Sequence, residues 1–254
     1  MRAIILSTLR VALLSIGLSI AGPAQPERSP AEAAGLLRKI DRNLEPEAYE
    51  TYRKIINVEP DGKRKEFVLY LVKKGKDKVA GVFLDPPGDK DRAILRLGDN
   101  MWLYIPNVGK PVRITSLQSA TGGVFNNSDI LRIDYSAEYE VESLRDSAGF
   151  ELFHLKAKSK TVAYARLRLW ALKKELLPAK IECLTDKGML IKTLVFKEIK
   201  DFGGGIVRPS VVETESPMYK GHKSIMVYSR LKARSIQDEV FSINYLPKLK
   251  DFRK

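Results

Sequence analysis

The sequence contains few of the residues on which catalytic and metal sites are usually built. Its 254 residues include one cysteine, two histidines and two tryptophans. A single cysteine excludes any disulfide within the chain, so the fold must be stable without one. We therefore expect Cys183 to be a small buried hydrophobic residue on a strand.

The motifs of common enzyme classes are also missing from the sequence. His154 and His222 do not share an HExxH or HxxxH spacing, and the chain has no G-x-S-x-G elbow. The glycine-rich segment FGGGIV at 202–207 lacks the lysine and the serine or threonine of a phosphate loop. The sequence thus predicts no enzymatic activity, no metal and no cofactor. An envelope hydrolase that uses His154 stays open as an alternative.

No apolar run is long enough to form a membrane-spanning helix. The segment VALLSIGLSIAG at 11–22 is the longest such run, whereas a span needs about 20 residues. Arg2 and Arg10 precede or flank it, and the small residues of AGPAQ follow, which is typical of a secretory signal. We predict a cleaved signal peptide over 1–24, one mature domain over 25–254 and a periplasmic location. An uncleaved N-terminal anchor is the alternative.

The charge of the chain is strongly basic, with 44 lysines and arginines against 31 acids and a net charge of +13. The basic residues are scattered among different turns rather than gathered in a stripe with interleaved aromatic residues, so the pattern does not favour nucleic acid. In an exported protein the natural polyanions are phospholipid head groups. The predicted polar partner is therefore an anionic membrane surface.

One amphipathic helix is predicted at 29–44. Ser29 can cap it, Pro30 suits the first helical position, and Glu32 stands three residues after the cap. Apolar residues recur at helical spacing on one face, namely Ala33, Leu36, Leu37, Ile40 and Leu44. This helix must pack on an apolar surface.

The rest of the chain reads as roughly a dozen strands joined by short turns, which predicts a largely antiparallel meander. Three segments of the first half, 67–72, 79–84 and 101–105, are apolar on both strand faces. One face can pack on the core of the protein, and the other needs either a cover or an apolar cavity. The candidate cavity and lid residues are Leu36, Leu37, Ile40, Phe67, Leu69, Leu71, Val82, Leu84, Met101, Trp102, Leu103, Tyr104 and Ile105.

A segment rich in serine, threonine, glycine and asparagine, residues 119–135, interrupts the meander. A long structured loop inside a compact β domain is often functional. The pattern also indicates a helical turn near Asp129–Ile133.

Two motifs resemble a known family. GDNMWLYIP…VRI followed by GGVFNNSD resembles the LolA-like outer-membrane lipoprotein-sorting proteins, and in particular an uncharacterised bacterial branch with a MWLYLP strand, an R-x-I and an F-x-G-S-D loop. Asn127 stands where that branch has glycine, and we expect it to tolerate a left-handed backbone. After Asp129, ILRIDY departs from the family's FSYEDL. The matching positions outside the aromatic strand include the motif-loop residues Arg113, Phe125, Asn127, Ser128 and Asp129.

The resemblance implies an incomplete antiparallel β-barrel, a strongly curved sheet with helices covering its concave side. It also implies a periplasmic carrier that binds the acyl chains of lipoproteins or other lipids in an apolar cavity and ferries them toward the outer membrane. The implied partners are acyl chains, an inner-membrane exporter and an outer-membrane acceptor. An envelope accessory or adaptor protein of a lipid or peptide exporter is the alternative.

Overall fold

A computed structural model of the chain describes residues 28–253, so the predicted signal peptide at 1–24 lies outside the described residues. The fold consists of one antiparallel sheet of thirteen strands. The strands are β1 Ala48–Val58, β2 Arg64–Lys74, β3 Lys78–Asp85, β4 Ala93–Leu97, β5 Asn100–Tyr104, β6 Val112–Ile114, β7 Tyr139–Ser147, β8 Phe150–Ala157, β9 Arg166–Leu172, β10 Pro178–Leu184, β11 Leu190–Asp201, β12 Val207–Glu215 and β13 Lys223–Ala233.

The sheet consists of two antiparallel meanders, β1–β6 and β7–β13, joined where β13 pairs with β1. From β1 each hairpin adds a strand outward to the edge at β6, and the chain then crosses the sheet to the opposite edge at β7. Consecutive strands return from β7 to β13, which pairs with β1 in the middle of the sheet. The curved sheet does not close, because β6 and β7 remain as two separate edges. The predicted incomplete barrel with few helices is confirmed.

The helices on the concave face are α1 Pro30–Leu44, α2 Asn127–Ile130 and α3 Tyr135–Glu138. Helix α1 begins as predicted, since Ser29 Oγ accepts a hydrogen bond of 3.2 Å from the backbone N–H of Glu32. The helix buries its apolar stripe in the inner core, with Leu37 and Ile40 almost inaccessible to solvent. Residues 119–138, which include α2 and α3, lie beside α1, and we call them the cover segment. None of the helices in the described range is long and apolar enough to cross a membrane.

The convex face of the first strands is covered by the end of the chain. Short 3-10 helices form at Pro87–Asp89, Asp238–Phe241 and Ile243–Asp251. The last two pack on β3, β4 and β5, where Val240, Phe241, Leu246 and Leu249 join a second apolar core. The strands that are apolar on both faces therefore pack their second face on residues 238–251, which we call the C-terminal segment.

Candidate functional site

A small apolar cavity lies between the cover segment and strands β9–β13. Its volume is about 40 Å³, room for one or two water molecules, whereas pockets for small-molecule ligands typically hold about 300–1,000 Å³. Strand residues supply most of its apolar wall, including Leu167, Ile181, Leu194, Val212 and Met226. The cover segment closes it with Phe125, Ser128, Asp129, Arg132, Tyr135 and Glu138.

The predicted cavity and lid residues fall into two groups on opposite faces of the sheet. The first group belongs to the inner core or packs against it, and it consists of Leu36, Leu37, Ile40, Phe67, Leu69, Leu71, Met101, Leu103 and Ile105. The second group faces the C-terminal segment and consists of Val82, Leu84, Trp102 and Tyr104. None of the thirteen lines the cavity. Of the predicted residues, the structure places only Phe125, Ser128 and Asp129 of the motif loop at the cavity wall.

The position of the cavity therefore differs from the expectation. We expected it beside the two-sided strands of the first half, where it would be lined by their second apolar face. That face is filled by the C-terminal segment, and the cavity lies beside strands of the second half, which alternate between a dry and a wet face. The dry faces of those strands were visible in the sequence as alternating apolar residues, but alternation alone does not show that a dry face borders a cavity.

Arg113 and Trp102 lie together outside the concave space. The guanidinium of Arg113 sits over the Trp102 ring, 5.4 Å from its centroid, and donates to the side-chain oxygen of Asn100. Arg113 is exposed on β6. It therefore does not share a site with Phe125 and Asp129, although the sequence motif contains all of them.

Asp129 is the polar centre of the motif loop. Its carboxylate accepts from the backbone N–H of Asn126 at 3.0 Å, which completes a reciprocal capping box at the start of α2. The hydroxyl of Tyr164 donates to Asp129 at 3.0 Å, and Lys192 Nζ donates to it at 2.7 Å. Lys192 also donates to the carbonyl oxygen of Val124 at 2.5 Å. Asp129 thereby joins the cover segment to strand β11.

Asn127 holds the loop through its side chain rather than through a left-handed backbone. It is the first residue of α2 and adopts helical geometry, which corrects the expected conformation. Its Oδ1 accepts from Ala120 N, and its Nδ2 donates to Thr115 O, both at 2.9 Å. The left-handed turn lies earlier, at Gly123 with φ 72°, where a Cβ atom would approach Asn57 Oδ1 to 2.2 Å.

Two buried arginines of the sheet also fasten the cover segment. Arg53 Nη1 donates to the carbonyl oxygen of Ile130 at 2.9 Å, and Arg96 Nη1 donates to that of Leu131 at 3.1 Å. Arg96 also donates to the carboxylate of Glu138 in α3. The carbonyl groups of Ile130 and Leu131 lie at the C-terminal end of α2, where a positive charge is favourable. The cover is thus attached to the sheet by directional polar contacts as well as by apolar packing.

The carboxylate of Glu45, at the end of α1, forms ion pairs with four cationic side chains. Glu45 is fully buried, and its oxygens lie 2.5 Å from Arg132 Nη2, 3.0 Å from Lys73 Nζ, 3.4 Å from Arg208 Nη1 and 3.7 Å from Arg53 Nη2. Burial by itself raises the pKa of the carboxyl, but the four cations outweigh burial and hold the pKa of Glu45 well below its usual range.

Sequence reasoning missed this charge cluster, although one signal was present. On β1, Arg53 has the same parity as the buried residues Tyr49 and Ile55, so its side chain points into the core. A charged residue at a core-facing position is rarely buried without a partner. The partner is hard to infer because Glu45 and Arg208 are separated by 163 residues.

Cys183 is buried in the cavity wall, where burial raises the pKa of its thiol. His154 lies on β8, and partial burial followed by the positive charges of Arg145 and Arg168 lowers its pKa. His222 packs against Tyr219 in another part of the fold, with ring centroids 6.4 Å apart. Within residues 28–253 no cluster of three or more histidine, cysteine or acidic side chains is arranged to hold a metal ion.

Comparison with known proteins identifies the family. A family model described as an uncharacterized protein family matches residues 75–248, which is more than half of the chain. The chain belongs to this family. Its fold is that of the LolA-like outer-membrane lipoprotein-sorting proteins, as the sequence motifs indicated. No curated protein matches the chain in sequence.

Three solved structures show how closely this family member keeps the LolA-like fold. A LolA superfamily protein from Nitrosomonas europaea is 24% identical, with a TM-score of 0.75 over 84% of this chain and 98% of that chain. An outer membrane lipoprotein-sorting protein domain from Vibrio parahaemolyticus is 18% identical, with a TM-score of 0.72 over 86% of this chain and all of that domain. A DUF1329 family protein from Desulfovibrio piger is 22% identical, with a TM-score of 0.72 and the same shares of the two chains. At these identities the comparison establishes the fold.

Proposed function

We propose that this family member is a periplasmic carrier that shelters the acyl chains of lipoproteins or other lipids on their way to the outer membrane. The supporting observation is a LolA-like curved sheet whose apolar concave face is closed by a segment attached at a few polar points. The mature domain at 25–254 follows a signal peptide that directs export. The chain acts by binding and release, without catalysis.

A carrier is required because an acyl chain is costly to expose to water. Each methylene contributes about 0.8 kcal/mol, so a chain of about 15 carbons would cost on the order of 12 kcal/mol in an aqueous compartment. The cavity of about 40 Å³ is too small for such a chain. We therefore infer that the cargo enters as the cover segment and α1 move away from the sheet.

Opening exchanges one set of contacts for another. The apolar side chains beneath the cover, such as Leu194 and Met226, lose Phe125 and Tyr135 as neighbours and gain the cargo instead. The bonds from Arg53, Arg96 and Lys192 to the cover segment break. The ion pairs of Glu45 with Lys73, Arg132 and Arg208 break as well, and hydration replaces both sets of contacts. Because apolar contacts with a lipid tail have no directional requirement, affinity depends on area and shape, and closing the cover can expel the tail.

Cys183 provides a direct test, because it is the single cysteine of the chain and lines the cavity. A thiol reagent should modify it slowly in the native protein, at a rate set by opening of the cover. Preincubation with a long-chain fatty acid or a diacylated lipopeptide should reduce that rate further, because the tail occupies the space beside the sulfur. The measurement is intact-mass spectrometry of the labelled protein over time.

The control is a short, soluble fatty acid of the same charge, which should not protect Cys183. Native mass spectrometry of the protein recovered from cells should in addition show a bound amphiphile in part of the population. If long-chain lipids do not change the labelling rate and no amphiphile accompanies the protein, the carrier proposal is wrong.

A further inference from the structure

Two neighbouring hairpin tips expose large apolar side chains. Met189 and Leu190 lie at the β10–β11 turn and are 64% and 37% exposed. Met218 and Tyr219 lie at the β12–β13 turn and are 66% and 56% exposed. We call these four residues the apolar tip patch.

The two tips are adjacent because β11 and β12 are paired. Thr193 lies opposite Glu215, and continuing that register brings Leu190 level with Met218. Beyond the last ladder pair, Ser216 Oγ donates to the carbonyl oxygen of Ile191, and the backbone N–H of Met218 donates to Ser216 Oγ at 3.2 Å. The four apolar side chains therefore belong to one surface rather than to two separate loops.

Basic residues flank the patch. Lys187 is in the first turn and Lys220 in the second, and both are exposed. Asp186 is the one acidic residue in the two turns, 185–189 and 216–222. Glu215 borders the second turn, and the adjoining β1–β2 turn carries Glu59 and Asp61. Apolar tips between lysines match the arrangement of a bilayer interface, where acyl chains lie beneath anionic head groups.

We propose that the apolar tip patch docks on an anionic phospholipid bilayer. Met189, Leu190 and Met218 enter the outer part of the hydrocarbon region, Tyr219 lies at head-group level, and the lysines meet the phosphates. Four side chains form a surface much smaller than the roughly 800 Å² that each partner contributes to a stable protein complex. A few inserted side chains with matching charge instead produce weak, reversible membrane association, which suits a carrier.

This inference rests on the proposed function, because docking at this end of the strands brings the cavity close to the lipid. Cys183 precedes the first turn by two residues, and Leu194 follows Leu190 by four residues. At about 3.3 Å per strand residue, these two wall residues lie within roughly 13 Å of the tips.

The test places a tryptophan at the patch and measures its contact with lipid. Met218→Trp is compared with Ile199→Trp, because Ile199 is 51% exposed on β11, nine positions further along the strand from Leu190. Vesicles of phosphatidylglycerol and phosphatidylethanolamine carry bromine on their acyl chains, and vesicles of phosphatidylcholine serve as the neutral surface. We expect a blue shift and bromine quenching for Met218→Trp on the anionic vesicles, beyond those of the unsubstituted chain, and neither effect for Ile199→Trp.

The charges are tested by sedimentation with the same anionic vesicles. Lys187→Glu with Lys220→Glu should weaken vesicle binding at least about tenfold, and added salt should weaken the binding of the unsubstituted chain. The matched control is Lys174→Glu with Lys248→Glu, two exposed lysines outside the patch, which should weaken binding much less. Equal losses in the two double variants would overturn the proposal.

The outcomes separate this inference from the carrier proposal. Quenching at Met218→Trp, with neither lipid protection of Cys183 nor a bound amphiphile, would leave the docking surface intact and refute the carrier. Protection of Cys183 without quenching at the tips would refute the docking surface and leave the carrier. Cross-linking of the tips to a protein, without quenching by brominated lipid, would also overturn the docking inference.

Discussion

Among single residues, Glu45 has a fully buried carboxylate that pairs with four cationic side chains. Glu45 ends α1, and its carboxylate neutralises part of a group of cations contributed by β1, β2, β12 and the cover segment. Removing one member of a buried ion cluster leaves the others unpaired in a poorly solvated place, which typically costs about 3–5 kcal/mol. Glu45 therefore ties the helix, the sheet and the cover together.

Glu45→Gln should lower the free energy of unfolding by about 3–5 kcal/mol, measured by urea denaturation at neutral pH. The folded-state pKa of Glu45 lies well below the unfolded value of about 4.3. The stability that its charge contributes is thus fully present above about pH 4.3 and is lost as the pH falls toward the folded pKa. We expect the difference in free energy of unfolding between the original chain and Glu45→Gln to stay constant from neutral pH to about pH 5 and to become smaller in stronger acid.

The control for this prediction is Glu47→Gln, two residues further on. Glu47 is largely exposed and pairs with Arg42 at 2.8 Å, so its loss should change stability by no more than about 0.5 kcal/mol. A Glu45→Gln variant as stable as Glu47→Gln would show that the cluster does not hold the fold together.

Substitution of Lys192 tests whether the cover segment opens without unfolding of the whole protein. It contacts both Asp129 and the carbonyl of Val124, so Lys192→Met removes two attachments of the cover while keeping the length of the side chain. Loss of a charge-assisted hydrogen bond costs about 1.5–3 kcal/mol, so we expect Cys183 to be labelled roughly 10- to 100-fold faster.

The matched control is Lys197→Met on the same strand. Lys197 pairs with Glu213 at 2.8 Å on the surface and should leave the labelling rate almost unchanged. Urea denaturation distinguishes the two ways of reaching Cys183, because labelling through cover opening depends only weakly on urea. If labelling of Lys192→Met accelerates only in proportion to its global destabilisation, the cover does not open independently.

At the scale of elements, the C-terminal segment is an integral part of the fold. In its second 3-10 helix, Leu246 and Leu249 stand three residues apart, which is the period of a 3-10 helix, and both are buried against the convex face. Without this segment, β2–β5 would present apolar side chains to water. Arg234 anchors the start of the segment by donating to Glu50 at 2.6 Å and to the carbonyl oxygen of Phe252 at 3.3 Å.

Leu249→Ala should destabilise the protein by about 2–5 kcal/mol, because Leu249 is fully buried and its truncation leaves a cavity between the segment and the sheet. Thermal and urea denaturation measure the change, and Lys248→Ala, an exposed neighbour, is the control. An effect below about 1 kcal/mol would mean that the segment packs loosely on the sheet.

At the scale of the whole molecule, the two faces of the sheet have different covers with different attachments. The convex face is closed mainly by apolar packing of the C-terminal segment. The concave face is closed by α1 and the cover segment, which are also fastened by Arg53, Arg96 and Lys192. Both covers bury apolar side chains, but the concave cover also borders a cavity, so we expect the concave side to be the one that opens.

Much of the local architecture can be predicted from the sequence alone. Ser29 and Glu32 mark the start of α1, the turn residues mark most hairpins, and the two-residue period shows which side chains share a face. The aromatic strand and the motif loop also indicated the LolA-like fold. These features depend on residues close together in the chain, so their physical causes can be read from the chain directly.

The covers of the two faces and the position of the cavity depend on tertiary packing. A period of two separates the faces of a strand but does not say which one turns inward, and packing alone places Leu103 in the inner core and Trp102 against the C-terminal segment. The charges around Glu45 depend on strands brought together from distant parts of the chain. Such contacts are decided by the curvature and order of thirteen strands, which no local pattern encodes.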